Sequence, residues 1–373
     1  MKKIKLLVLL FVLIPVLSLY AQEEQSEEDA FFAEDINSTE ETLQAKYTSS
    51  QKIAQAEKKE DGVETKTSLE FQVSTRPEAK LILHQTFKVP VFQGKNSLVN
   101  GNNLTFGFHP EVTPISAGIL GNIVLTPIAF IELEAGGQIG SGWNINLFGG
   151  EVRGSGVNIG KPAFRDKNNT IEVIGKDGKQ VNRTTVDINT ENGIFFGSHF
   201  GGAFQFDLAA VVPGDWHHVL LRTYHEAKYM TYSAAGKYDP WFFESDYGEN
   251  QNGWRYYGSY VLAYQMPIIL NTVAFLAEMN KFLYDYDPLN PNTWGGNMAR
   301  WDFSLVLNFK FTEKFSTALV GQLRLHRNYS NFTYENKDDK DPDYNRYFQD
   351  RELIEGRTLK FYRVAALLNY KLR

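Results

Sequence analysis

The sequence contains no cysteine. That excludes a lipid-modified N-terminal Cys, a disulfide framework and every paired-Cys metal or redox motif. After the first two dozen residues it also lacks any uninterrupted apolar run approaching the roughly 20 residues that a membrane helix requires. Any crossing of a bilayer must therefore use strands. No Gly-rich phosphate loop is present. Basic charge is not in excess either: 38 Lys and Arg stand against 44 Asp and Glu, for a formal net charge of −6 at pH 7, which argues against a nucleic-acid partner.

What is present divides into three regions. Lys2, Lys3 and Lys5 precede an apolar run from Leu6 to Leu17, followed by Ser18, Leu19, Tyr20 and Ala21. This pattern predicts a secretory signal peptide over 1–21, cleaved after Ala21, because the run is too short to span and Pro15 interrupts it. Residues 22–62 carry 12 acids and four lysines, a net −8, with few apolar side chains. Such a segment cannot build a core and reads as an acidic tether, disordered or weakly helical. Of the total of −6, the leader carries +3 and the acidic segment −8, so residues 63–373 carry −1.

The main region alternates at period two. Trp301, Phe303, Leu305, Leu307, Phe309 and Phe311 interleave with Asp302, Ser304, Val306, Asn308 and Lys310. The same rhythm recurs at Trp254 to Gln265 and at Arg363 to Arg373, and more weakly at Leu69 to Val73, Leu104 to Phe108 and Ala117 to Leu125. Strands are expected at about 64–75, 78–89, 103–113, 116–126, 128–139, 200–212, 216–230, 253–265, 268–281, 300–311, 315–328 and 356–372. Short links at Thr126-Pro127, Pro213-Gly214-Asp215, Met266-Pro267 and Thr312-Glu313-Lys314 alternate with long polar ones at about 140–199, 232–252, 283–299 and 329–355. A soluble sandwich gives no reason for that lopsidedness, whereas a membrane barrel has short turns on one side and long loops on the other. Trp241, Phe242, Phe243, Trp254, Tyr256 and Tyr257 crowd around one loop, as an aromatic girdle at a membrane interface would. The fold class is therefore all-β: a transmembrane antiparallel up-and-down barrel of about 12 strands, rising to 14 if Ile171 to Val186 forms a hairpin turning at Lys176-Asp177-Gly178.

With these strands and links, the region 63–373 resembles the porin-like outer-membrane β-barrel proteins of diderm bacteria. Such barrels often end on an aromatic that the barrel-assembly machinery recognises; here the end is Tyr370-Lys371-Leu372-Arg373, with Tyr370 in that place. The stretch Thr126 to Trp143, with Gly136, Gly137, Gly140 and Gly142, is similar to uncharacterised outer-membrane proteins of spirochaetal type. The resemblance implies residence in the outer membrane. It also implies outer-membrane lipids, the assembly machinery and small solutes as partners, with no cofactor.

If the apolar faces meet lipid, the alternate faces point inward. That set includes Glu132, Glu134, Asp207, Arg255, Asp302, Lys310, Arg324 and Arg363, with Gln138, Asn308, Gln322 and Lys371 beside them and Arg222 and Glu278 placed less surely. Either these charges line a passive pore for small hydrophilic solutes, or they pair across a plugged lumen in a surface-exposed structural or binding barrel. An outer-membrane lipid hydrolase is a further alternative, but Ser198 and His199 are adjacent and so face opposite ways in a strand, and His217-His218 sits at a turn. Asp339, Asp341, Asp343, Asn345 and Asp350 have the spacing of a calcium loop, but Tyr344 stands where its turn needs glycine. A solvated surface loop is the reading here, and no metal is expected.

Overall fold

In the computed structural model, the residues described are 62–372, apart from 77, 97, 148–149, 162–183, 190–192, 237–240, 245–249, 284–298 and 336–346. The expected leader, most of the acidic segment, the turn of the proposed 171–186 hairpin and Asp339 to Asn345 lie outside them.

In chain order the strands are β1 (Glu64–Ser74), β2 (Ala79–Pro90), β3 (Asn103–Val112), β4 (Ser116–Ile128), β5 (Ile131–Gly142), β6 (Asn144–Leu147), β7 (Gly150–Arg153), β8 (Ser155–Lys161) and β9 (Thr184–Asn189). There follow β10 (Ile194–Asp207), β11 (His218–Tyr232), β12 (Trp241–Phe243), β13 (Gly253–Gln265), β14 (Leu270–Phe282), β15 (Arg300–Lys310), β16 (Phe315–Glu335) and β17 (Tyr347–Lys371). Strands β1 to β5, β10, β11 and β13 to β17 pair antiparallel in sequence order. β17 then pairs back onto β1, from Ser68↔Lys371 to Ser74↔Ala365, and closes a wall of 12 strands. Closure removes the sheet edges that lipid could not satisfy.

The wall is inside-out relative to a soluble core. Phe106, Phe108, Ile123, Phe204, Leu262 and Leu305 are exposed, while their alternate neighbours His109, Gln205, Ser259 and Ser304 are buried. The closed wall and its apolar exterior make this a β-barrel of the bacterial outer membrane. Aromatics mark both rims. Trp254 packs edge-on against Tyr229, and Tyr260 stacks on Trp301, toward one end of the wall. At the other end Phe309, Phe311 and Phe315 stack in series, and the Tyr264 hydroxyl donates to the Trp216 carbonyl.

An even strand number puts both termini on the periplasmic side. That side then holds the links 91–102, 129–130, 208–217, 266–269 and 311–314. Three expectations need correction. Thr126-Pro127 is not a turn; it lies inside β4, where the pairing slips between Leu125 and Ile128, because proline has no N–H to give the ladder, and the chain reverses at Ala129-Phe130. The expected strand over 200–212 begins earlier and ends at Asp207, whose side chain accepts from the Ala209 amide and starts a short 3-10 turn, Leu208–Ala210. The polar stretch 329–355 is largely not a loop: β16 and β17 stay paired from Tyr329↔Leu353 to Glu335↔Tyr347. A crossing needs about 9–11 residues. Strands of 21 and 25 residues therefore project well beyond the outer rim.

Two elements of the long 143–193 link, β8 and β9, form a hairpin that does not enter the barrel wall. It joins β17 at Asp350 and Arg351 on one side and β12 on the other. The barrel thus remains at 12 strands, with an extra sheet at its outer mouth.

Candidate functional site: the barrel interior

The interior is built from alternation alone, since every second residue of each wall strand points into it. On β11 and β13 to β17 these residues are packed tightly. Asp302 receives both Arg324 Nε at 2.6 Å and Nη2 at 3.2 Å, with Arg300 at 3.6 Å. Arg363 donates to Gln322 Oε1 at 3.0 Å, Gln322 donates onward to Ser304 Oγ at 3.0 Å, and the Tyr257 hydroxyl donates to Glu278. Arg324, Asp302, Gln322, Glu278 and Arg363 are all 0–1% exposed.

Tyr362 completes this layer through an irregularity. β16 and β17 slip register between Gln322 and Leu323, so Tyr362 is an extra residue and both it and Arg363 are buried. The Tyr362 ring lies 3.7 Å from the Arg324 guanidinium carbon and 4.3 Å from that of Arg76, distances suited to cation–π attraction. Toward the periplasm the same strands fill the lumen with Leu220, Ala263, Ala274, Leu276, Val306, Val320, Ala365 and Leu367.

The opposite wall, β1 to β5 with β10, is polar and wetter. A file of side chains crosses it: Glu70 Oε2 lies 3.5 Å from His84 Nε2, His84 Nδ1 lies 3.0 Å from His109 Nδ1, and Asn122 donates to Glu134 Oε1 at 2.8 Å. His199 Nε2 sits 3.5 Å from the same Glu134 oxygen. His84 and Glu134 keep 17% and 18% of their side-chain surface exposed. Nearer the periplasm, Lys66 and Lys88 flank Glu64 at 2.5 and 3.8 Å. Glu132 binds Arg222 at 2.7 Å and Gln205 at 3.1 Å, joining the two walls.

The outer mouth is filled from above. β12 pairs with β8 and brings Trp241 and Phe243 against Phe195, Met230 and Tyr232, all buried; Trp241 stacks on Tyr232 at 5.5 Å. Phe243 lies over Gly140, where a Cβ would meet its ring at 2.7 Å. The next residue, Glu244, takes a left-handed backbone at φ 58, a costly conformation for a residue with a side chain. It is held there by Lys80 at 2.9 Å and Ser116 at 2.5 Å. The crowd of aromatics expected to form a girdle therefore splits. Trp254 faces outward, but Tyr257 points inward by the alternation of β13, and Trp241 and Phe243 are buried because the segment that bears them folds into the lumen instead of lying along the membrane surface.

The structure buries most of the charged residues singled out from sequence. Glu132, Asp207, Arg255, Asp302, Arg324 and Arg363 are buried, as are Arg222 and Glu278, and Glu134 is half-buried. Asp207 contacts His218 Nδ1 at 2.8 Å, and Arg255 donates to Asn250 Oδ1 at 3.0 Å. Lys310 differs: it sits at the periplasmic rim, 40% exposed, and pairs with Glu313 at 3.1 Å. Sequence reasoning missed Glu70, Lys80, His84, His109, Glu244 and Tyr362. The first three stood on β1 and β2, where Leu69, Phe71, Leu81 and Leu83 already gave the opposite face, and His109 stood on β3, where Leu104, Phe106 and Phe108 did. Among the described residues, no three of His, Asp and Glu converge as metal ligands.

No protein-family model and no curated protein sequence matches the chain. Among solved structures it is similar to CdiB from Acinetobacter baumannii, at 8% identity over 85% of this chain and 61% of that one, with a TM-score of 0.31. It is also similar to OmpT, an outer membrane protein of Vibrio cholerae, at 8% identity over 83% and 97%, TM-score 0.30. The Pseudomonas putida toluene transporter TodX matches at 9% identity over 84% and 89%, TM-score 0.27. The chain thus spans 61% of the length of CdiB. Likenesses this low carry no function across, and the narrower spirochaetal resemblance has no support among them. The barrel assignment rests on strand closure and the apolar exterior.

Proposed function

We propose that this outer-membrane barrel has an occupied lumen and works through its outer surface, as a non-catalytic binding or structural barrel. One observation carries the reading: the side chains that would line a pore on β11 to β17 have almost no contact with water, being 0–1% exposed at Arg324, Asp302, Glu278 and Arg363. A hydrated passage would leave them accessible, as lumen charges are in open porins. The buried Trp241 cluster at the mouth and the projecting β16–β17 pair support the same view, since both place the ordered structure at the outer face.

A second reading, a passive pore for small hydrophilic solutes, is favoured by the partly exposed file Glu64, Lys66, His84 and Glu134 on the other wall. Planar-bilayer recording of the purified full chain separates the two. An occupied lumen gives a silent bilayer. A reproducible unit conductance, shifted toward cations by Arg324→Glu with thermal stability retained, would overturn that reading and establish the pore.

A further inference from the structure

The His84–His109 contact has an unusual electronic consequence. The register through Gln85↔Phe108 and Ile82↔Glu111 places the two histidines opposite one another on β2 and β3, both on inward positions. Their Nδ1 atoms are 3.0 Å apart. The other nitrogen of His84 faces the carboxylate of Glu70 at 3.5 Å, and Glu70 is itself oriented by Gln72 Nε2 at 2.5 Å. A carboxylate oxygen favours a proton on the nitrogen that faces it, so Glu70 favours the His84 tautomer with its hydrogen on Nε2. His109 Nε2 converges with Asn122 Oδ1 on the space that a Cβ at Gly107 would fill. The Asn122 amide nitrogen is committed to Glu134, which leaves Oδ1 to accept from His109 Nε2.

In the tautomer with both hydrogens outward, on Nε2, the two Nδ1 lone pairs face one point between the rings. That point accepts either a hydrogen on one Nδ1, which makes an ordinary N–H···N hydrogen bond between neutral rings, or a metal ion held by both nitrogens. We propose that His84 and His109 form a two-histidine site for a divalent metal ion of the Zn2+, Cu2+ or Ni2+ class, with water in the remaining positions. Metal–imidazole bonds of about 2.0–2.1 Å put two ligand nitrogens roughly 3.0–3.4 Å apart, close to the separation present. Imidazole nitrogen selects this class over Mg2+ or Ca2+. A ligating histidine whose second nitrogen faces a carboxylate or carbonyl oxygen is the usual support of such a site, and here the Glu70 carboxylate lies 3.5 Å behind His84 Nε2 and the Asn122 carboxamide oxygen lies beside His109 Nε2. The 17% exposure of His84 gives the ion a route in from water.

Cu2+ is the probe, added to the full-length protein in detergent and followed by electron paramagnetic resonance. The H217Q/H218Q background removes the other adjacent histidines. One equivalent of Cu2+ should bind with coupling to two imidazole nitrogens, and a large excess of Zn2+ should compete for the site. Adding H84Q or H109Q should abolish the signal, and E70Q should weaken binding about 10–100-fold. H225Q, at an exposed ring bonded to Tyr256, should leave it unchanged. Cu2+ binding that is absent, or that survives H84Q and H109Q, would overturn the site. If either variant fails to show the heat-dependent gel mobility of an assembled barrel, the background spectrum decides, and one nitrogen or none refutes the proposal.

Discussion

The two halves of the barrel obey one alternation rule and reach different degrees of packing. On β11 and β13 to β17 the inward positions carry Arg, Asp, Gln and Glu matched into buried pairs above a plug of Leu, Val and Ala. On β1 to β5 and β10 they carry glycine, histidine and threonine among the charges; Glu70, Lys80, Glu132 and Asp207 are buried there too, but Glu64, Lys66 and Lys88, nearer the periplasm, pair in partial contact with water. Closing a 12-strand wall therefore does not by itself decide whether the lumen is wet. Inward side-chain volume decides it, strand by strand.

The largest expected effect lies on the packed wall. Arg324→Glu removes the cation held in two hydrogen bonds by Asp302 and adds an anion beside it. Losing one partner of a buried pair costs about 3–5 kcal/mol. The temperature at which the folded gel band disappears should fall sharply, and the double change Arg324→Met with Asp302→Leu should restore most of it, because the desolvation of both charges is then gone. An unchanged transition in the single variant would mean that this layer is hydrated. A somewhat smaller loss, about 2–5 kcal/mol, is expected for Leu276→Ala, which opens a cavity in the apolar plug. The same gel assay reads it, and a loss under about 1 kcal/mol would show that the plug is not close-packed.

Much of this architecture was legible from period-two patterning, because lipid outside and a polar inside impose it on every strand. Trp301 to Phe311 gave the facing of β15 directly, and the terminal alternation gave Arg363 as inward. What stayed hidden was what breaks the period or acts at long range. Tyr362 reads as out of phase until the slip opposite Gln322 is known. Trp241 is indistinguishable in sequence from a girdle residue, since its burial depends on β12 pairing with β8, far away in the chain. The His84–His109 contact needed a register between β2 and β3, which alternation does not supply, because slipping a strand by two residues preserves the facing while changing the partner.

The smallest expected effect on stability is also the sharpest test of the contrast between the walls. Lys66 and Glu64 pair 2.5 Å apart with 30% and 22% of their side chains exposed, and such a pair is worth at most about 1 kcal/mol. Lys66→Cys should therefore leave the unfolding transition nearly in place. Because the chain has no cysteine, the introduced thiol is the only one, and its reaction with a charged maleimide in the folded barrel reports water access at that position alone. Ser304→Cys provides the counterpart on β15: Ser304 is fully buried beneath Gln322, and the swap is nearly isosteric. A lumen wet at the periplasmic end of β1 and dry in the middle of β15 predicts rapid labelling at residue 66 and labelling at residue 304 only after denaturation. Equal rates at both positions would mean that water runs the width of the barrel, and the contrast between its walls would then disappear.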